Sequence, residues 1–193
     1  MQIVYGGRRW WYFAIVSLGV LLLCACNRSK RPQTGDAISQ FMGKEILFEG
    51  LLSFNLQEGM TLSSLRGNAD HCIVVYVDSS SCEDCSITNA LNLWGYELEL
   101  RQKQKDNVLF IYIFNTQDIG VLQKRLHDLG FFHHYFVDFE NVFLSNNQIP
   151  RDLRFHTFLL KDNKVRIIGN PSSNQKVRKL YDKALRVPPA IRH

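Results

Sequence analysis

The sequence predicts an α/β fold, with a mixed central sheet and helices on both faces. Three observations predict it. Short continuous apolar runs alternate with helical patterns, as βαβ units do. A hairpin signal follows them near the C-terminus. A Cys-x-x-Cys pair, Cys82 and Cys85, stands where the first of these strands gives way to a helix.

The elements follow in order from Asp36. "DAISQFMG" predicts a short helix with Ile38, Phe41 and Met42 apolar. "EILFEGLLSF" has strand character around a glycine turn, and "TLSSLRGNAD" reads as a connector. "CIVVYV" (72–77) is the continuous apolar run of a strand covered on both faces. Cys82 to Leu100 then reads as a helix with Ile87, Ala90, Leu91, Trp94 and Leu98 on one face. "NVLFIYIF" (107–114) is a second buried strand. Asp118 to Leu129 is a helix with Ile119, Leu122, Leu126 and Leu129 inward, closed by Gly130. "HHYFVD" is a further strand and "ENVFLSNNQI" a short helical segment. "FHTFLL" and "VRIIG" flank Lys161-Asp162-Asn163-Lys164 as a hairpin. After Asn170-Pro171, "SSNQKVRKLYDKAL" is a last amphipathic helix with Val177, Leu180, Tyr181 and Ala184 on its apolar side, stopped at "RVPP".

Ahead of this region, Arg8 and Arg9 precede an apolar run from Trp10 to Leu23. The run falls short of the ~20 residues of a spanning helix, so residues 1–25 are expected to be a secretory signal. Leu23-Cys24-Ala25-Cys26 resembles a bacterial lipobox, which makes Cys26 the expected lipidated residue. Acyl chains contribute about 0.8 kcal/mol per buried CH₂, and more than one chain gives stable anchoring. Residues 26–35 then form a polar, basic tether, with Arg28, Lys30 and Arg31 placed to meet anionic headgroups. The remaining boundaries are an N-terminal extension at 36–71 packing on the domain, the domain itself at 72–187, and a tail at 188–193.

Without the signal, 168 residues remain, enough for one domain with a core, and the formal charge falls from +5 to +3. No interleaving of aromatic and basic residues points to nucleic acid. No cofactor motif stands out. Of five cysteines, Cys24 leaves with the signal and Cys26 is acylated. In an oxidising envelope Cys82 and Cys85 are free to pair, and Cys72, at the head of an apolar run, is expected to be a buried, inert thiol.

This order of elements, with Cys-x-x-Cys at a strand-to-helix junction, resembles the thioredoxin-like fold. Within it, the chain resembles the TlpA-like thiol-disulfide proteins of bacterial envelopes. "HHYFVDFENVFLSNNQI" is similar to their extra strand-helix insert, and "FHTFLLKDNKVRIIGNP" to their last hairpin; the likeness covers roughly residues 60–187. It implies exchange with protein thiols and disulfides of the envelope, with electrons from a membrane donor. At a helix N-terminus, unpaired N–H groups and the macrodipole favour a thiolate. Cys82 is therefore the expected nucleophile and Cys85 the resolving thiol. A metal site or an inert bridge stays open as the alternative use of the pair.

Several residues are expected to modify such a site. Glu83 and Asp84 place two carboxylates between the cysteines, which disfavours a thiolate and predicts a more reducing pair than in strong oxidants. Ser81 and Ser86 stand where the family often has an aromatic and a basic residue. Phe155 aligns with the family's cis-proline; Pro150 lies five residues upstream, and Arg154-Phe155 is expected to be trans. Phe155 or His156 is then the expected group facing the thiols. Asp78, four residues before Cys82, is a candidate proton relay or a turn former. His156 with Cys82 and Cys85 is a weak candidate metal set of the copper-handling kind. His133 and His134 are expected on opposite faces of a strand, and His71 and His127 at the surface. Two functions follow: a membrane-anchored thiol-disulfide oxidoreductase leaning toward reduction, or a binding module or copper-type chaperone on the same fold.

Overall fold

The computed structural model describes residues 34–56, 60–78, 83–104 and 107–186, without the side chains at 34, 83–86, 96, 98 and 102–104. The predicted signal, the tether with Cys26, and Cys82 lie outside the described residues. So does the predicted tail. Among the described residues, no helix is long and apolar enough to cross a membrane.

The described elements are α1 (Thr34–Phe41), β1 (Leu52–Phe54), α2 (Leu62–Gly67), β2 (His71–Asp78), α3 (Glu83–Gln104), β3 (Val108–Asn115), α4 (Ile119–Asp128), β4 (Tyr135–Asp138), α5 (Val142–Asn146), a 3₁₀ turn (Leu153–Phe155), β5 (Thr157–Lys161), β6 (Lys164–Ile168) and α6 (Gln175–Leu185). The strands form a six-stranded sheet in the order β1-β4-β3-β2-β5-β6. β2, β3 and β4 run parallel, while β1, β5 and β6 join as antiparallel neighbours.

β2 lies at the centre because it is apolar on both faces. Ile73, Val75 and Val77 pack against Ile87 and Trp94 of α3, Leu122 and Leu126 of α4, and Tyr181 of α6. Cys72, Val74 and Tyr76 face the other layer, with Phe41 of α1, Phe143 and Leu144 of α5, and Phe155. Full burial of one such aliphatic or aromatic side chain contributes about 1.5–3 kcal/mol. The sheet thus carries helices on both faces, as its alternating runs predict.

The hairpin turn is set by Asp162 and Asn163, both in the left-handed region at φ 50° and 65°, as a two-residue I′ loop requires. A register shift between Leu159 and Leu160 leaves Arg166 as the extra residue of β6. The segment read as an extension reaches further into the fold than packing alone. β1 pairs with β4, Phe41 and Ile46 are buried, and Glu45 bridges to Lys164 at the β6 edge.

Four expectations are corrected. "TLSSLRGNAD" holds the helix α2, started by a capping box in which Thr61 and Ser64 exchange side-chain and backbone bonds. His71 is not at the surface: it is the first residue of β2, paired with Val108 and 6% exposed. Leu129 and Leu180 do not belong to inner stripes; they are 37% and 53% exposed, since Leu129 is already the cap of α4 and Tyr181 takes the inward position on α6. His133 and His134 precede β4 rather than alternating within it.

Candidate functional site

The C-terminal end of β2 and the start of α3 define the corner that the Cys-x-x-Cys occupies in sequence. β2 ends at Asp78, which pairs with Asn115 of β3. α3 begins at Glu83, so Glu83, Asp84 and Cys85 are its first three residues. Cys82 and any Cys82–Cys85 disulfide lie outside the described residues, as do the side chains of Glu83, Asp84 and Cys85. The candidate metal set of Cys82, Cys85 and His156 therefore falls partly outside them. Among the described residues no group of three or more His, Cys, Asp or Glu could hold a metal ion.

Around this strand end the structure brings together a set of polar residues that the sequence did not signal. The Tyr76 hydroxyl donates to Asp138 Oδ2 at 3.0 Å and to Asn141 Oδ1 at 3.3 Å. Asp138, fully buried at the end of β4, also accepts the backbone N–H of Val142 at 2.8 Å and of Phe143 at 3.3 Å. It thereby caps α5, whose own N-cap residue Asn141 sits in the left-handed region and makes no side-chain cap. The Asn115 amide donates to the Asp138 carbonyl at 2.7 Å. Three parallel strand ends are thus tied together beside the corner. Burial, with the Asp138 and Asp78 charges and the Asp138 hydrogen bond adding to it, pushes the Tyr76 hydroxyl far above its ordinary pKa, so it stays protonated and able to donate. The one available signal was an aspartate directly after the buried run of β4.

Phe155 and His156 enter this region from the 3₁₀ turn, and neither is exposed. The Phe155 ring packs edge-on to Phe41 at 6.1 Å, on the face of the sheet away from α3. Among the described residues no peptide bond is cis. His156 gives its carbonyl to the Tyr76 N–H at 2.8 Å and sets its ring edge-on to Tyr76 at 5.2 Å. The residue is 4% exposed, and neither ring nitrogen completes a hydrogen bond with a described residue. Burial holds its pKa below the ordinary imidazole value; the Asp78 charge, the nearby Pro150 carbonyl and the Asp152 charge pull the other way. Asp78 thus stands in electrostatic reach of both Tyr76 and His156.

The turn before His156 is held at the surface by Arg154, whose guanidinium forks onto the Asp152 carboxylate. This hydrogen bonding holds the Asp152 carboxyl down at about 2. Between them Leu153 is 73% exposed, an apolar side chain presented to solvent near the corner. Cys72 lies at the other end of β2. Burial pushes its thiol up to about 11, against a smaller lowering by Arg66, which leaves it a poor nucleophile.

No protein-family model and no curated protein matches the chain. Solved structures do. The thioredoxin domain of a thiol-disulfide oxidoreductase from Bacteroides vulgatus matches with 9% identity and a TM-score of 0.51, over 75% of this chain and 97% of that one. A protein from Bacteroides thetaiotaomicron, provisionally assigned as a protein disulfide isomerase, matches with 15% identity and a TM-score of 0.48, over 74% and 87%. A thioredoxin-like protein solved in its oxidised form matches with 14% identity and a TM-score of 0.43, over 75% and 90%. With its mixed six-stranded sheet between two helical layers and its likeness to the first of these, the chain has a thioredoxin-like fold.

Proposed function

We propose that this chain is a thiol-disulfide oxidoreductase of the cell envelope, lipid-anchored through Cys26, with Cys82 as nucleophile and Cys85 as resolving thiol. One observation supports the reading: in a thioredoxin-like fold, β2 ends at Asp78 and α3 starts at Glu83, the residue that follows Cys82 in sequence, with Cys85 in the helix's first turn. In the reducing direction, the Cys82 thiolate attacks a substrate disulfide and forms a mixed disulfide, and one substrate sulfur leaves as a thiolate. Cys85 then attacks Cys82, closing the intramolecular disulfide and releasing the second substrate sulfur. A membrane dithiol donor then supplies two electrons and two protons, is itself oxidised to a disulfide, and returns the Cys82–Cys85 disulfide to the dithiol. The acids Glu83 and Asp84 favour this direction, because they disfavour the thiolate that stabilises the reduced form of strong oxidants.

A second reading has its own support. Phe155, which aligns with the family's substrate-docking proline, is packed into the core against Phe41. That favours a thioredoxin-fold binding module without turnover, or a copper-type chaperone using the thiols with His156. The two are separated by trapping. For the oxidoreductase, Cys85→Ser accumulates a mixed disulfide with a model protein disulfide while Cys82→Ser accumulates none. If neither variant differs from the parent and the parent reduces nothing, the binding module is the function.

A further inference from the structure

We infer that the outward face of α6 is a membrane-docking surface, which lays the domain on a bilayer containing anionic phospholipid. Lys176, Lys179, Leu180 and Lys183 follow the i, i+3, i+4, i+7 spacing of one helix face, and Arg186 extends that face at the C-cap. All five are exposed, and Leu180, at 53%, is an apolar side chain set among four cations. The opposite face serves the fold. Val177, Tyr181 and Ala184 pack into the layer between the sheet and the helices. Asp182, the one acid of α6, turns to Arg101 of α3, so no carboxylate of the helix neutralises the outward stripe. None of its four cations makes a side-chain ion pair with a described residue; the ion-paired basic residues among those described are Arg101, Lys124, His127 and Arg154.

The fold itself gains little from this stripe. Lys176 stands in the first turn of α6, where the macrodipole is positive and a cation is unfavourable. Lys179 and Lys183 are like charges one turn apart, which destabilises a helix. Leu180 leaves its apolar surface in water. Lys183 and Arg186 alone suit their place, at the negative end of the helix.

An anionic bilayer compensates all three costs. Its surface potential attracts lysine and arginine. Its boundary between headgroups and acyl chains accepts Leu180, as it accepts the apolar side of any basic amphipathic helix lying in the interface. A soluble polyanion offers charge but no apolar phase. Single-stranded nucleic acid binds through rings that stack on bases, and the one aromatic residue of α6, Tyr181, is buried. The binding rests neither on the thiol chemistry nor on acylation of Cys26; only the identity of the membrane as one of the envelope rests on the function proposed above.

The test is lysine acetylation of the full chain, read residue by residue by mass spectrometry. It compares vesicles of phosphatidylglycerol and phosphatidylcholine in equal parts with vesicles of phosphatidylcholine alone. The expected signal at residues 1–25 would hold the chain on either vesicle, so protection rather than bulk binding is the readout. Acetylation of Lys176, Lys179 and Lys183 should slow at least about fivefold on the anionic vesicles and be unchanged on the neutral ones. Lys124, an exposed lysine of α4, should change on neither. In K176Q/K183Q, and separately in Leu180→Ser, Lys179 should lose most of its protection while thermal unfolding stays as in the parent. The Cys82→Ser/Cys85→Ser and Cys26→Ser variants should keep the protection. Equal protection on both vesicles, equal protection of Lys124, full protection of Lys179 in K176Q/K183Q or Leu180→Ser, or equal protection by duplex DNA or polyglutamate at matched charge overturns the assignment.

Discussion

Tyr76 Oη lies 3.0 Å from Asp138 Oδ2, and this bond joins the end of β2 to the end of β4 across 62 residues of sequence. Both side chains are buried. The bond fixes the strand end from which the chain runs toward Cys82. Replacing Tyr76 by phenylalanine removes the donor but leaves Asp138 the backbone N–H groups of Val142 and Phe143. Loss of a hydrogen bond to a charged group costs about 1.5–3 kcal/mol. Urea denaturation of Tyr76→Phe should show a loss in that range; an unchanged midpoint would mean that the bond contributes nothing net.

A second buried group ties α3 to α6. Arg101, 1% exposed, pairs with the fully buried Glu97 one turn earlier and with Asp182 of α6 at 2.9 Å. Removing one partner of a buried pair strands the other charge and costs about 3–5 kcal/mol. Glu97→Ala should therefore be among the most destabilising single changes in the chain. Asp182→Asn should cost much less, because that carboxylate is 30% exposed and its pairing is partly screened. Equal losses in the two variants, measured by denaturant midpoint, would contradict this division.

Acid should weaken the fold through two imidazoles. Burial lowers the pKa of His156, and burial with the neighbouring His133 lowers that of His134 against an opposing backbone bond to Phe110. Unfolded, both titrate near 6.5. As pH falls through that value the unfolded chain takes up protons before the folded chain does. The stability linked to neutral histidine is thus complete above about pH 7 and declines as pH drops toward the lower folded values. Unfolding free energy measured from about pH 8 to about pH 5 should fall, and fall less in His156→Gln. A curve that is the same for the variant would remove His156 from the account.

Much of the sheet was legible because its strands are apolar on both faces and its turn residues are specific. The β2–α3–β3–α4 order and the Asp162-Asn163 hairpin could be read directly. Short elements were harder. α2 has six residues and too few apolar positions to show a period, and its capping box ends in Ser64 rather than a glutamate. His71 reads as polar and therefore exposed, yet a residue in a central strand is covered whatever its type. The Tyr76–Asp138 bond leaves no local trace, because its partners meet only once β3 has been laid between their strands. Glu97 and Arg101 have a helical spacing visible in sequence, but their burial depends on α6, which arrives eighty residues later in the chain.

The central claim is that Cys82 and Cys85 form a reversible redox couple, and its reduction potential tests that most directly. The full chain, equilibrated in dithiol buffers of graded potential and quenched by thiol alkylation, should pass through one two-electron transition. Its midpoint should lie well below the roughly −120 mV of a strong oxidant. A pair that does not exchange with the buffer at any potential, or one that is oxidised only at potentials as high as that oxidant's, would contradict the account.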